Sequence, residues 1–167
     1  MLRRRKQPPA AQPPPEQIYT DLRAMALGAG QNGVIQRHDD HPEVYGLVVD
    51  IPAQGGHATL VALGGNTTSF YTSTGGGTIG AGERPQVAAA TQQLLTVVQE
   101  NIGLIVAPDE GGLPNPGSVR LHLLAEAGLR SADVPEDAFW GRSPHPLWPV
   151  IAGIQQVISL IRMASPP

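Results

Sequence analysis

The chain is predicted to be an α+β protein: a mainly antiparallel sheet of about five strands with helices packed on it. Three observations predict this. Short β-rich runs follow one another across turns too tight to join parallel neighbours. Three other stretches repeat apolar residues at helical spacing. The pieces come in the order helix, three strands, helix, two strands, helix, which groups strands with strands instead of alternating them with helices.

The first helix is expected from Glu16 to about Gly28, where Ile18, Leu22 and Met25 recur at spacings of four and three and Gly28 is a natural stop. The polar stretch "GAGQNGVIQRHDDHPE" then reads as loop. "VYGLVVDI" (44–51) is almost wholly apolar, the pattern of a buried central strand. "HATLVAL" (57–63) and "TTSFYTS" (67–73) follow across "PAQGG" and "GGN", so the three form a meander. A second helix is expected from Pro85 to Ile102, with Val87, Thr91, Leu94, Leu95, Val98 and Ile102 on one face. "SVRLHLL" (118–124) alternates Val119, Leu121 and Leu123 inward with Arg120 and His122 outward, and "LRSADV" (129–134) reads as a fifth, edge strand. Val150, Ile154, Val157, Ile158 and Ile161 mark a last helix over 149–163.

The 167 residues, 41% hydrophobic and 15% charged, suffice for one domain with a core. Residues 1–15 are expected to be a disordered, basic, proline-rich arm, and 16–167 a single α+β domain. Arg3, Arg4, Arg5 and Lys6 concentrate positive charge in the arm. The rest of the chain holds seven of the 11 basic groups against 14 acidic ones, so the folded body is acidic and repels phosphate backbones. Nucleic acid is therefore not an expected partner. The absence of cysteine excludes disulfides, thiolate zinc sites, iron–sulfur clusters and cysteine nucleophiles, and makes a cytoplasmic location the default expectation. No run approaches the ~18 apolar residues of a transmembrane segment. The basic start is not followed by the apolar core of a signal peptide.

Five glycines crowd "TSTGGGTIGAGERPQ" (72–86), and Gly75, Gly77 and Gly80 satisfy G-x-G-x-x-G between a strand and a helix. Backbone amides there are able to meet an anion. Against this, the preceding unit is a meander rather than a βαβ unit, no acidic residue closes a second parallel strand, and Glu83 repels phosphate unless Arg84 offsets it. No Lys-Ser or Lys-Thr makes it a P-loop. The plainer reading is a sharp turn that lets the second helix fall back on the sheet. A ligand, if held, would lie near Tyr71, Ser73, Gly75, Gly76, Gly77, Gly80 and Arg84. Ser69, Tyr71 and Ser73 share one face of their strand and lead towards the loop.

Other candidate chemistry is sparse. "RHDDHPE" (37–43) offers metal-ligating residue types, but neighbours on a loop diverge, and no metal and no cofactor are expected. Asp50, His57 and Ser73 are a conceivable orienter, base and nucleophile, without any nucleophile elbow. Phe139, Trp140, Arg142 and Trp148 place aromatic mass and a guanidinium in an irregular segment, residue types favoured at protein contacts. The sequence thus favours a small, bacterial-type, non-enzymatic domain that binds another protein or its own copy. The alternative is a small-molecule or anion site, or weak enzymatic activity, on the loop 75–82.

Overall fold

A computed structural model describes residues 11–164, and a seven-stranded antiparallel sheet runs through its middle. β1 (Val44–Ala53), β2 (Gly56–Leu63) and β3 (Thr67–Thr72) form the meander, and β4 (Gly77–Thr78) folds back on β3. β5 (Ala107–Pro108), β6 (Ser118–Ala125) and β7 (Gly128–Pro135) complete the sheet. The spatial order is β4-β3-β2-β1-β6-β7-β5, so β1 is central and pairs with β2 on one side and β6 on the other.

Helix α1 (Pro15–Gly28) lies on one face of the sheet. Helices α2 (Pro85–Glu100) and α4 (Trp148–Ala164) lie on the other, beside the single-turn helix α3 (Glu136–Phe139). The alternation of strand side chains explains the division. Leu47, Val49 and Ile51 of β1, Leu60 of β2 and Val119, Leu121 and Leu123 of β6 meet Leu94, Leu95 and Val98 of α2 and Ile154, Val157 and Ile161 of α4 in the main core. Val48, Val61, Leu63, Tyr71 and Leu124 point the other way, to Tyr19 and Ala26 of α1. A sheet covered on both faces needs apolar residues at consecutive positions, hence the near-continuous run in β1.

Five strands were expected and seven are present. The two extra ones, β4 and β5, are two residues long, too short to make a periodic signal. β5 pairs with Ser131 and Arg130, so β7 is not an uncovered edge along its whole length. The stripe expected for α1 is also displaced. Ile18 and Met25 are exposed, 43% and 71%, and the docked face is Tyr19, Arg23 and Ala26 with Leu22 half-buried. Residues 1–10 of the expected arm lie outside the described residues, and the helix begins one residue earlier than expected, at Pro15.

The glycine loop does not run straight into α2. A β3–β4 hairpin and a 3-10 turn at Ala81–Glu83 intervene. Gly82 is where the turn passes the β2–β3 connection, since a Cβ there would lie 1.8 Å from the carbonyl oxygen of Asn66.

Candidate functional site

Three places hold the residues that chemistry would use. The first is buried beneath α1. Asp50 of β1, Thr59 of β2 and His122 of β6 all face that helix, and Asp50 and His122 are fully buried. Arg23 reaches down from α1 and grips Asp50 with Nε and Nη2, at 2.7 Å for the Nη2–Oδ2 contact. The Thr59 hydroxyl donates to Asp50 Oδ1 at 2.7 Å and therefore accepts from Tyr19, whose oxygen lies 2.7 Å away. His122 Nε2 lies 2.7 Å from Asp50 Oδ2, and its Nδ1 lies 2.5 Å from Asp109 Oδ2, so the imidazole is held between two carboxyl groups. The Asp109 side chain is 2% exposed and its Oδ1 accepts from the amide of Gly111, turning the segment over the imidazole.

Burial by itself pushes the Asp50 carboxyl up. Hydrogen bonds from His122 and Arg23, and the Arg23 charge, outweigh it and hold the carboxyl at about 2. General acid or base work requires a substrate proton within hydrogen-bond reach. The sealed Asp50 and His122 offer none, and the network instead ties α1 and the 109–113 segment to the sheet.

His122 was expected to face solvent. It is buried because α1 and the 109–113 segment cover the second face of the sheet. Asp50 does not gather with His57 and Ser73 either. Its oxygens are taken by Arg23, Thr59 and His122, while the Ser73 hydroxyl accepts from the backbone N–H of His57 at 2.9 Å. The roles of Arg23 and Asp109 were missed. The one sequence signal was Asp50 itself, a carboxylate inside an apolar strand, which must find donors.

The second place is a hollow of about 310 Å³ between α1 and the glycine loop. Pro15, Ile18 and Leu22 form one wall, and Tyr71, Gly75, Gly76 and Gly77 line the other side. These four belong to the expected ligand set. Ser73, Gly80 and Arg84 are not among the lining residues. Gly80 donates its amide to Ser69 Oγ, Gly75 donates to the Thr72 carbonyl, and Gly77 pairs with Tyr71, so these glycines are bound up in the hairpin. Arg84 caps α2 through its backbone, and its Nη1 is buried with no hydrogen-bond partner among the described residues.

The third place is the segment between α3 and α4. Phe139 is fully buried and forms part of the main core. Trp140 and Trp148 stand 45% and 46% exposed, and Gly141–His145 with Trp148 line an open depression of about 420 Å³. Arg142 is exposed and pairs with Asp137 at 3.3 Å.

In the 37–43 loop His41 is fully buried, its Nδ1 2.8 Å from the Val44 carbonyl, so it secures the loop. Among the described residues no group of three or more His, Cys, Asp and Glu side chains is placed to hold a metal ion. No helix among them is long and apolar enough to cross a membrane. Comparison with protein-family models, with curated proteins and with solved structures gives no match.

Proposed function

We propose that the chain is a non-enzymatic protein-interaction domain whose contact surface is the tryptophan-bearing segment between α3 and α4. One observation carries this reading: Trp140 and Trp148 each leave nearly half their surface in water, beside an open depression and on a buried base of Phe139 and Leu147. Holding two indoles in water forgoes the burial such rings gain elsewhere, and Trp with Arg is the residue set that dominates binding energy at protein contacts. Arg142 at the rim supplies the charged member. The partner is a protein surface, whether of another chain or of a second copy.

The test uses the tryptophans themselves, the only two in the chain. Indole emission is followed while mass is measured against concentration and against candidate partner chains. Association is expected to shift the emission to the blue. Trp140→Ala or Trp148→Ala should weaken it at least tenfold, about 1.4 kcal/mol, with an unchanged melting midpoint. Complexes that form with unshifted emission, or that both alanine variants form equally well, would move the contact elsewhere.

A further inference from the structure

The hollow between α1 and the glycine loop differs from the tryptophan face in character and rests on separate observations. None of its lining side chains is charged. One wall is bare backbone: Gly75, Gly76 and Gly77 have φ of 104°, 94° and 134°, conformations that glycine alone adopts readily. A Cβ on Gly77 would sit 2.4 Å from the Phe70 carbonyl oxygen, so that part of the wall stays without side chains. Ile18, Leu22 and Ile79 face it. Tyr71 contributes to the lining, is only 5% exposed, and its hydroxyl has no hydrogen-bond partner among the described residues. A buried hydroxyl left unpaired has lost its hydration with nothing in return, so such groups in folded proteins usually meet a partner. Burial first, and then Tyr19 and Asp50, push the Tyr71 phenol up, so it stays protonated and able to donate. A second hollow of about 240 Å³ shares Leu22, Tyr71 and Ile79 and extends the groove along α1.

We infer that this groove is a binding site for a small, neutral, largely apolar molecule with a flat ring, which lies against the glycine wall and accepts a hydrogen bond from Tyr71. The size fits a single substituted ring, because about 310 Å³ is at the lower end of ligand pockets. Neutrality follows from the uncharged lining, since an ion would lose its hydration there without a counter-charge. The flat ring follows from a wall that offers backbone and no side chains. This is a different ligand class from the anion that the G-x-G-x-x-G spacing suggests.

The full chain, labelled with ¹⁵N, is titrated with three probes: acetophenone (ring and acceptor), ethylbenzene (ring alone) and benzoate (ring and charge). With so few non-hydrogen atoms, acetophenone is expected to bind in the millimolar range. Its saturable shifts should centre on the amides of Gly75, Gly76, Gly77 and Tyr71, with benzoate at least tenfold weaker. Tyr71→Phe should bring acetophenone down to the affinity of ethylbenzene, about tenfold, while the unfolding midpoint stays level or rises because the unpaired hydroxyl is gone. Leu22→Trp should fill the groove and abolish binding of all three. The inference is overturned by the absence of saturable shifts in the millimolar range, by benzoate binding best, or by acetophenone binding Tyr71→Phe as tightly as the parent. Were Tyr71→Phe to misfold, the order of the three probes on the parent chain and the Leu22→Trp result still decide. None of these outcomes bears on the tryptophan face.

Discussion

The carboxylate of Asp50 receives hydrogen bonds from α1, β2 and β6 while fully buried. Such a group makes stability depend on acid. Its folded-state value, about 2, is below the ordinary 3.8, so the unfolded chain takes up the proton first as pH falls. The stabilisation is complete above about pH 5 and is lost progressively as pH falls through 4 towards 2, a matter of roughly 2 kcal/mol. The urea midpoint measured at steps from pH 6 to pH 2 is expected to drop over that window. A midpoint that stayed level to pH 2 would contradict the account. Asp133 is lowered by its hydrogen bond to Arg120 and acts in the same direction, but its side chain is 44% exposed, so its share is small.

At the scale of elements, α1 is held by few side chains. Its N-cap makes no side-chain hydrogen bond, only Tyr19 and Ala26 are buried, and a helix of 14 residues is marginal in water by itself. What docks it is the Arg23 grip on Asp50 and the Tyr19–Thr59–Asp50 chain. Arg23→Ala leaves Asp50 buried with one cation fewer, a change that costs about 3–5 kcal/mol where a buried pair is broken. The loss is expected to fall on α1 first. Amide exchange at Tyr19 to Gly28 should quicken strongly while β1 and β6, backed by the main core, stay protected. Equal loss of protection in α1 and β1 would mean that the helix is no separate unit. By contrast α2 and α4 bury five and six residues respectively and need no such clamp.

The whole molecule is an antiparallel sheet whose central strand pairs across a long separation: Asp50 of β1 stands opposite Arg120 of β6, with β2, β3, β4, α2 and β5 between them in the chain. Non-local pairing must meet the entropy of closing that loop before the contact rewards it. Refolding followed by far-ultraviolet circular dichroism is therefore expected in milliseconds to seconds; microsecond refolding would show that local contacts dominate. Both edges end in two-residue strands, which limits the unpaired backbone offered to another sheet. The contact surfaces we propose, the tryptophan segment and the α1 groove, are accordingly built from elements other than the sheet edges.

The sequence by itself determined the elements whose signal is local. The meander, the stripes of α2 and α4 and the centrality of β1 all follow from side-chain period and turn residues, because backbone geometry sets the period and the core needs one apolar face per element. The burial of Phe139 and the exposure of Trp140 and Trp148 were not legible: an irregular segment has no period to separate inward from outward positions. Nor was the docked face of α1. Its apolar residues Ile18 and Met25 suggested one stripe, but the polar Arg23 turns inward because Asp50 and His122 await it across the sheet. Asp50 and His122 are 72 positions apart, and only strand register brings them together. The tertiary structure alone decided such meetings, and with them the groove at Tyr71, because contacts between distant residues depend on topology and on which faces are covered, and no local pattern encodes either.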